Sequence, residues 1–581
     1  MSPIIKTKPP KLTKLRLSER MPAGKMPTRT TEAEPGEQRR VIAGRSIRWN
    51  AARAERAYRD GWWSRETLAD ALAKAARETP DRVALIDGER QVSCATLFTQ
   101  AIALANALLG RAAPGSVVSF MLPNWAEAAT IYLGATLAGM VAHPILPSLR
   151  ERELRHMLPD VDSRVIFIPE RLRDHDYAAM LIDLCAKLDR PPDIVIVRGK
   201  RNEERPDVIW YETLLSEEAS RTLPQLDPDS VRMILYTSGT TGSPKGVMHS
   251  HNSIHALVRQ LEDQWLVSRG DKFLVPSPVS HIGGSVYAFE FPLLLGTTAV
   301  LMDRWDSQIG VDLMERTGCT HMAGATPFLE QLLAAARANG TRLPSLKVFI
   351  CGGAAVPPGL IKEANAYFAK AIVTRVYGST EVPVTTVGVL DRSDVEHAAE
   401  TDGCPGIADV RLATDPAAGC VGEGEIRARG PQMLVGYVHS ADEATVFDRE
   451  GYYRTGDLGR WVDDRYLVVS GRAKDIIIRK GENISPKEVE DVLLEHPDIA
   501  DVAIVGVPDS ASGERAFAVI VPTGDARPDL ASVSAFLAEQ SIAAFKRPEQ
   551  IALWDTLPRN ATGKVLKHEI RAALIADASK D

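Results

Sequence analysis

Residues 236–247 read YTSGTTGSPKGV, a run with the chemistry of a polyphosphate cradle. Ser238, Thr240, Thr241 and Ser243 carry hydroxyl donors, Gly239 and Gly242 leave backbone N–H groups uncovered, and Lys245 adds a positive charge. The nearest rival is a loop of the G-x-x-x-x-G-K-[ST] kind. Counted from Gly239, Lys245 falls on its lysine, but Pro244 stands at the second glycine and Gly246 at the Ser/Thr that would meet magnesium. The flanks differ too: a strand VRMILY enters, KGVMHS leaves as a second short strand, and a helix follows only from about Asn252. The loop is therefore expected to join two strands, not to open a helix that holds phosphate on its N-terminus.

The elements that must position this loop alternate along the chain. VALIDG, SVVSFMLP, VIFIPE and DIVIVRG are short apolar strands separated by amphipathic helices, which argues for parallel βαβ layers and an α/β fold. From residue 347 the pattern is explicit: strand KVFICGG, a helix opened by Pro357 and Pro358 and running through Phe368, strand AIVTRVY, then the loop GSTE. Such loops lie at the carboxyl ends of strands, where open α/β sheets bind ligands. Near residue 470 a second, smaller α+β unit begins. Its first helix has Ser485 at the N-cap, Pro486 at the first helical position and Glu488 at N3. Strands DVAIVGVP, FAVIVP and QIALW follow, around two helices.

The composition restricts what the chain does. A length of 581 residues calls for more than one core, and the net charge of −7 offers no basic excess for a nucleic-acid backbone. Six scattered cysteines without a C-x-x-C pair favour a reducing, cytoplasmic setting and buried structural thiols. The longest apolar run, AATIYLGATLAGMVA at 128–142, is too short for a bilayer span and suits a helix packed inside the core. No transmembrane segment is expected; attachment at a membrane surface and homodimer formation stay open. Residues 1–40 read as a disordered basic tail, because residues 1–30 carry eight Lys or Arg, one Glu and five prolines with no apolar period. An early start, a surface-binding arm and a targeting peptide are the options for it.

Five motifs occur in order: YTSGTTGSPKGV, VYGSTE at 376–381, YRTGDLGRW at 453–461, GRAKDIIIRKGENISPKEVE at 471–490 and PRNATGK at 558–564. Together they resemble the adenylate-forming superfamily of acyl-CoA synthetases, peptide-synthetase adenylation domains and luciferases, over about residues 50–575. The resemblance implies a large N-terminal domain (41–470) of layered α/β subdomains plus a β-barrel-like part, with a small mobile α+β domain at 471–581. It also implies a reaction: a carboxylate attacks the α-phosphate of magnesium-ATP to give an acyl-adenylate and pyrophosphate, and a thiol then displaces AMP.

The roles that the resemblance implies fall on particular residues. Lys564 would bridge the carboxylate and the α-phosphate, Glu381 would help hold magnesium, and Thr380 would meet a phosphate. Asp457 and Arg472 would hold the ribose, with Tyr377 beside adenine. Gly352, Gly353 and Ala354 would let backbone approach the base and acyl group, and Thr237 and Gly378 complete the nucleotide set. Lys474 and Asp475 mark the hinge, and Lys480, Gly481 and Glu482 the face turned toward coenzyme A. His281 would gate an acyl pocket that includes Gly284, Ala325, Gly352 and Ala355.

Only 17 residues follow Lys564, which points to a freestanding ligase. KGENISPKEVE, CGGAAVPP and GATPFLEQLL resemble coenzyme A ligases for aromatic, alicyclic and short-to-medium-chain acids. The small residues Gly283, Gly284, Ala323, Gly324, Ala325, Ala354 and Ala355 suggest a roomy apolar slot without a charged grip for an ammonium group. An apolar acid and coenzyme A are thus the expected partners. A freestanding ligase that loads an acyl carrier protein is the alternative. An inactive acyl- or AMP-binding scaffold is the remote one, and the presence of Lys564, Glu381, Asp457 and Arg472 argues against it.

Overall fold

The computed structural model describes residues 37–201, 205–217, 220–237, 244–353, 356–414, 422–479, 482–509, 513–560 and 563–578. Among them two large sheets dominate. The first has eight strands in the order 209–210, 193–197, 163–169, 117–120, 141–144, 231–237, 245–250 and 436–437. The second has seven, in the order 372–376, 348–352, 321–324, 272–275, 298–301, 83–87 and 90–93. Six of these seven strands run parallel, as the strand–helix alternation requires. A shared core fills the space around both, and helix Ala126–Leu137, the Ala/Gly-rich run of the sequence, is buried at every residue. Gly134 explains how it fits: a Cβ there would stand 3.0 Å from Leu104.

The hairpin reading of YTSGTTGSPKGV holds at both arms. Val231–Thr237 pairs antiparallel with Lys245–Ser250, Thr237 lies opposite Lys245, and helix His251–Gln264 starts only afterwards. The loop's own residues 238–243 lie outside the described ones.

Two expectations change. Residues 38–40, expected in the tail, belong to strand Gln38–Ile42, which pairs antiparallel with Arg45–Trp49. Ala43 and Gly44 at its turn have φ of 47° and 79°, the two positive values of a type I′ hairpin. The rest of the tail, residues 1–36, lies outside the described residues. In place of a β-barrel-like part there is an open four-stranded antiparallel sheet, in the order 409–413, 423–429, 453–462 and 466–472. Each strand pairs only with its neighbour along the chain, so this meander brings no first and last strand together.

After Arg472 the chain makes a short 3₁₀ turn, Ala473–Asp475, and enters a five-stranded sheet built from 477–479, 482–484, 499–509, 513–522 and 550–553. Two hydrophobic clusters drawn only from residues beyond 476 cover it, with helices Pro486–Leu493, Leu530–Glu539 and, beyond the two expected, Lys567–Ala578. Ser485 does sit at the N-cap, but its hydroxyl donates to the Ser470 carbonyl (2.5 Å) instead of capping the helix. That bond ties the new unit to the strand Tyr466–Arg472. Among the described residues no helix is long and apolar enough to cross a membrane. Cys94, Cys185, Cys319 and Cys351 are buried free thiols, and Cys404 is partly exposed.

Candidate active site

Three adjacent parallel strands, 321–324, 348–352 and 372–376, end on one edge of the seven-stranded sheet. Ala325, Gly353 and Tyr377 are the first residues past those ends. Gly353 turns the chain at φ 86°, with no atom of the described residues within 4 Å of where a Cβ would stand, so glycine suits that turn. Gly352 is different: a Cβ there would meet the Val376 carbonyl oxygen at 2.7 Å, so its missing side chain serves strand pairing.

Opposite this edge stands the hairpin of strands 453–462 and 466–472, whose register puts Asp457 directly across from Arg472. Arg472 Nε lies 3.0 Å from Asp457 Oδ1, and the Tyr377 hydroxyl donates to Oδ2 at 2.7 Å. Asp457, 8% exposed, therefore has each oxygen engaged by a different element. Burial first, and the Asp457 carboxylate second, push the Tyr377 hydroxyl well above its ordinary pKa, so it stays a donor.

Lys564 reaches the same place from the C-terminal unit. It faces Arg472, Asp457, Asp475 and Lys474, and burial followed by the Arg472 charge pushes its pKa down to about 8. Its loop is a tight turn in which the Asn560 side chain accepts from the Lys564 N–H (2.9 Å) and the Asn560 N–H donates to the Lys564 carbonyl (2.9 Å). Gly563 lies at this same edge of the sheet: a Cβ there would lie 3.9 Å from Ala325 Cβ and 4.0 Å from Pro327. Lys474 and Asp475 form the short turn just beyond Arg472, and burial lowers the Lys474 pKa.

This arrangement agrees with how the chain compares with known proteins. Residues 72–438 match the AMP-binding enzyme family and residues 488–564 its C-terminal domain. The chain belongs to the AMP-binding enzyme family. It is an adenylate-forming enzyme of the acid–thiol ligase type. The chain is 33% identical over 550 residues to the medium-chain fatty-acid–CoA ligase of Escherichia coli, covering 90% of this chain and 94% of that one. It is 31% identical over 531 residues to a salicyl-AMP ligase / salicyl-S-ArCP synthetase of Mycobacterium tuberculosis, covering 88% and 91%. Among solved structures, the O-succinylbenzoate coenzyme A synthetase of Bacillus subtilis, in complex with ATP and magnesium ion, has a TM-score of 0.73 at 25% identity, covering 86% of this chain and 98% of that one.

Several contacts in this AMP-binding enzyme lay beyond the sequence reading. Glu381 is 8% exposed and accepts from the Tyr437 hydroxyl at 3.0 Å, with the Tyr453 hydroxyl 3.5 Å from that of Tyr437. Tyr453 sits inside YRTGDLGRW, and its side was the available signal; Tyr437 had none. Buried His249 bonds through Nε2 to the Thr380 carbonyl (2.7 Å), and burial pushes its pKa down to about 4, so it supports that loop as a neutral ring. Lys245 Nζ lies 3.2 Å from Asp442 Oδ1 and 5.8 Å from the Tyr437 ring centre. Gly378 packs so closely that a Cβ would stand 2.5 Å from the Val384 nitrogen.

On the acyl side, two of the small residues make close contacts within the protein. A Cβ on Gly284 would fall 2.1 Å from the Pro278 carbonyl oxygen, and one on Gly324 2.9 Å from Phe328. At these two positions the missing side chain serves close backbone or ring contact. Gly284→Ala is therefore expected to destabilise the protein by about 1–3 kcal/mol, read by denaturant unfolding; an unchanged midpoint would reject the close approach. Gly283 is looser, 3.7 Å from the Tyr287 ring. His281 precedes this segment with its Nε2 buried and without a hydrogen-bond partner among the described residues, and burial pushes its pKa down to about 4. Of the remaining expected site residues, Ser238, Gly239, Thr240, Thr241, Gly242, Ala354, Ala355, Lys480 and Gly481 lie outside the described residues, as does the side chain of Glu482.

Proposed function

We propose that this enzyme is an acyl-CoA ligase for an apolar carboxylic acid of the medium-chain, alicyclic or aromatic kind. The carboxylate oxygen bonds to the α-phosphorus of ATP and the bond to the bridging oxygen breaks, releasing pyrophosphate. The thiol of coenzyme A, losing its proton, then bonds to the acyl carbon and AMP departs. The observation that carries this reading is the meeting of Lys564, from the last motif, with Asp457 and Arg472 at the edge formed by Ala325, Gly353 and Tyr377. A cation beside a ribose-binding carboxylate suits the junction of an acid and an α-phosphate.

In this reading Asp457 accepts from the ribose hydroxyls, oriented by Arg472 and Tyr377. The hairpin loop from Thr237 to Lys245 wraps the β- and γ-phosphates, for which Lys245 exchanges Asp442 for phosphate oxygens. Glu381, a buried carboxylate oriented by a phenol, fits magnesium, which takes one or two carboxylates and completes its shell with water and substrate phosphates. Magnesium would supply charge neutralisation at the phosphates. Neutral His281 borders the acid, Lys474 and Asp475 pivot the C-terminal unit, and Lys480, Gly481 and Glu482 face the pantetheine arm in the second step.

One observation favours the alternative of a carrier-protein acceptor: a relative 31% identical is named a salicyl-AMP ligase / salicyl-S-ArCP synthetase. Pyrophosphate release with magnesium-ATP, over benzoate, cyclohexanecarboxylate, hexanoate, decanoate, palmitate and amino acids, with and without coenzyme A, separates the two. Turnover that needs one apolar acid and coenzyme A is expected. Acid-dependent release that coenzyme A does not accelerate would replace the thiol, and silence throughout would overturn the reading.

A further inference from the structure

Arg559 and Glu330 belong to the runs PRNATGK and GATPFLEQLL but have no part in the reaction as described so far. Arg559 opens the turn that ends at Lys564 and pairs with Val565 across it. One guanidinium nitrogen, Nη1, donates to the Gly563 carbonyl; the other, Nη2, reaches Asp501 Oδ2 at 2.5 Å. A single planar fork thus fastens the residue next to Lys564 to the strand Ile499–Asp509. Asp501 stands at a bulge in that strand, where the register slips between Ile499 and Asp501, a place where a side chain is re-aimed.

The turn meets helix Thr326–Ala338 through Gly563, which lies against Ala325 and Pro327. Glu330 is three residues beyond Pro327 and so shares that face of the helix. Its carboxyl is pushed above the ordinary range by desolvation and then by the Asp501 charge, with Arg559 opposing, which shows that the pair faces it across the seam.

We propose that Arg559 and Asp501 are positioning residues for adenylation, their ion pair seating the Lys564 turn on helix Thr326–Ala338 opposite Glu330. The inference rests on the proposed role of Lys564. A pair this exposed, 31% and 27%, contributes little to folding stability. Its effect lies in geometry, because a charge displaced by about 1 Å from a reacting centre can cost on the order of a hundredfold in rate. The thioester step, which in the proposed function does not use Lys564, is spared.

The test uses the full-length protein with Arg559→Met, Asp501→Asn, Arg559→Lys and Glu330→Lys. Acid-dependent ATP–pyrophosphate exchange is expected to fall about 10- to 100-fold in the first two, with partial recovery in Arg559→Lys, while thioester formation from supplied acyl-adenylate stays within about twofold. Amide hydrogen exchange at residues 563–566 is expected to quicken in the same variants, because the Gly563 and Lys564 N–H bonds to Asn560 close this turn. Equal loss of both half-reactions, or amide exchange that does not change, would overturn the proposal. Glu330→Lys, a change on the other side of the seam, carries the test if Arg559→Met folds poorly: it should lower pyrophosphate exchange alone, and no loss would count against the seam. A native protein that exchanges pyrophosphate with no acid would remove the proposed function, and amide exchange would still decide whether the pair seats the turn.

Discussion

Replacing Lys564 by alanine is expected to lower acyl-adenylate formation by about 10²–10³-fold while thioester formation from supplied acyl-adenylate largely survives. The size follows from what remains. Arg472 is a second cation beside it, but its Nε is held at 3.0 Å by Asp457, and Lys474 lies on the short turn Ala473–Asp475. Neither can take up a charge developing between a carboxylate and an α-phosphate without abandoning its own position. The asymmetry between half-reactions follows from the proposed hinge at Lys474 and Asp475, which carries the Lys564 turn away before the thiol attacks. Single-turnover assays of each half-reaction decide it. If both steps fall together, Lys564 acts on something shared, such as AMP affinity, and the adenylating role is lost.

The sequence made some of this legible because the relevant signals are local. Pro244 and Gly246 in the wrong places separate the hairpin from a phosphate loop that opens a helix, and the strands Val231–Thr237 and Lys245–Ser250 have that pairing. Pro357 and Pro358 announce helix Pro358–Tyr367, and the strands on either side of it end at the candidate site. Other features depend on partners distant in sequence. Tyr437 meets Glu381 across 56 residues and His249 meets Thr380 across 131, and no spacing rule links them. Small residues are ambiguous for a physical reason: Gly284 and Gly353 are alike in sequence, yet a Cβ on the first would meet a carbonyl oxygen and one on the second would meet no described atom within 4 Å. The tail misled by its charge, since QRRVI reads as an extension of a basic run until its pairing with RSIRW around Ala43-Gly44 is seen.

The pH dependence of the first half-reaction should carry the mark of Lys564 directly. Burial and the Arg472 charge lower its pKa from the ordinary lysine value to about 8, against the opposing pull of Asp457 and Asp475. A lowered lysine pKa means that the ammonium is present below about pH 8 and is lost above it, so a step that needs the positive charge weakens as pH rises. Because kcat/KM reports the free enzyme, its adenylation value should fall by about tenfold per pH unit above that point. The limb in kcat should lie at higher pH, since bound phosphates stabilise the ammonium and raise its pKa. Lys564→Arg supplies the control: a guanidinium does not titrate in this range, so its smaller rate should show no limb near pH 8. A native kcat/KM that stays level to about pH 9.5, or a limb that persists unchanged in Lys564→Arg, would assign the titration elsewhere and remove the charge of Lys564 from the rate-determining chemistry.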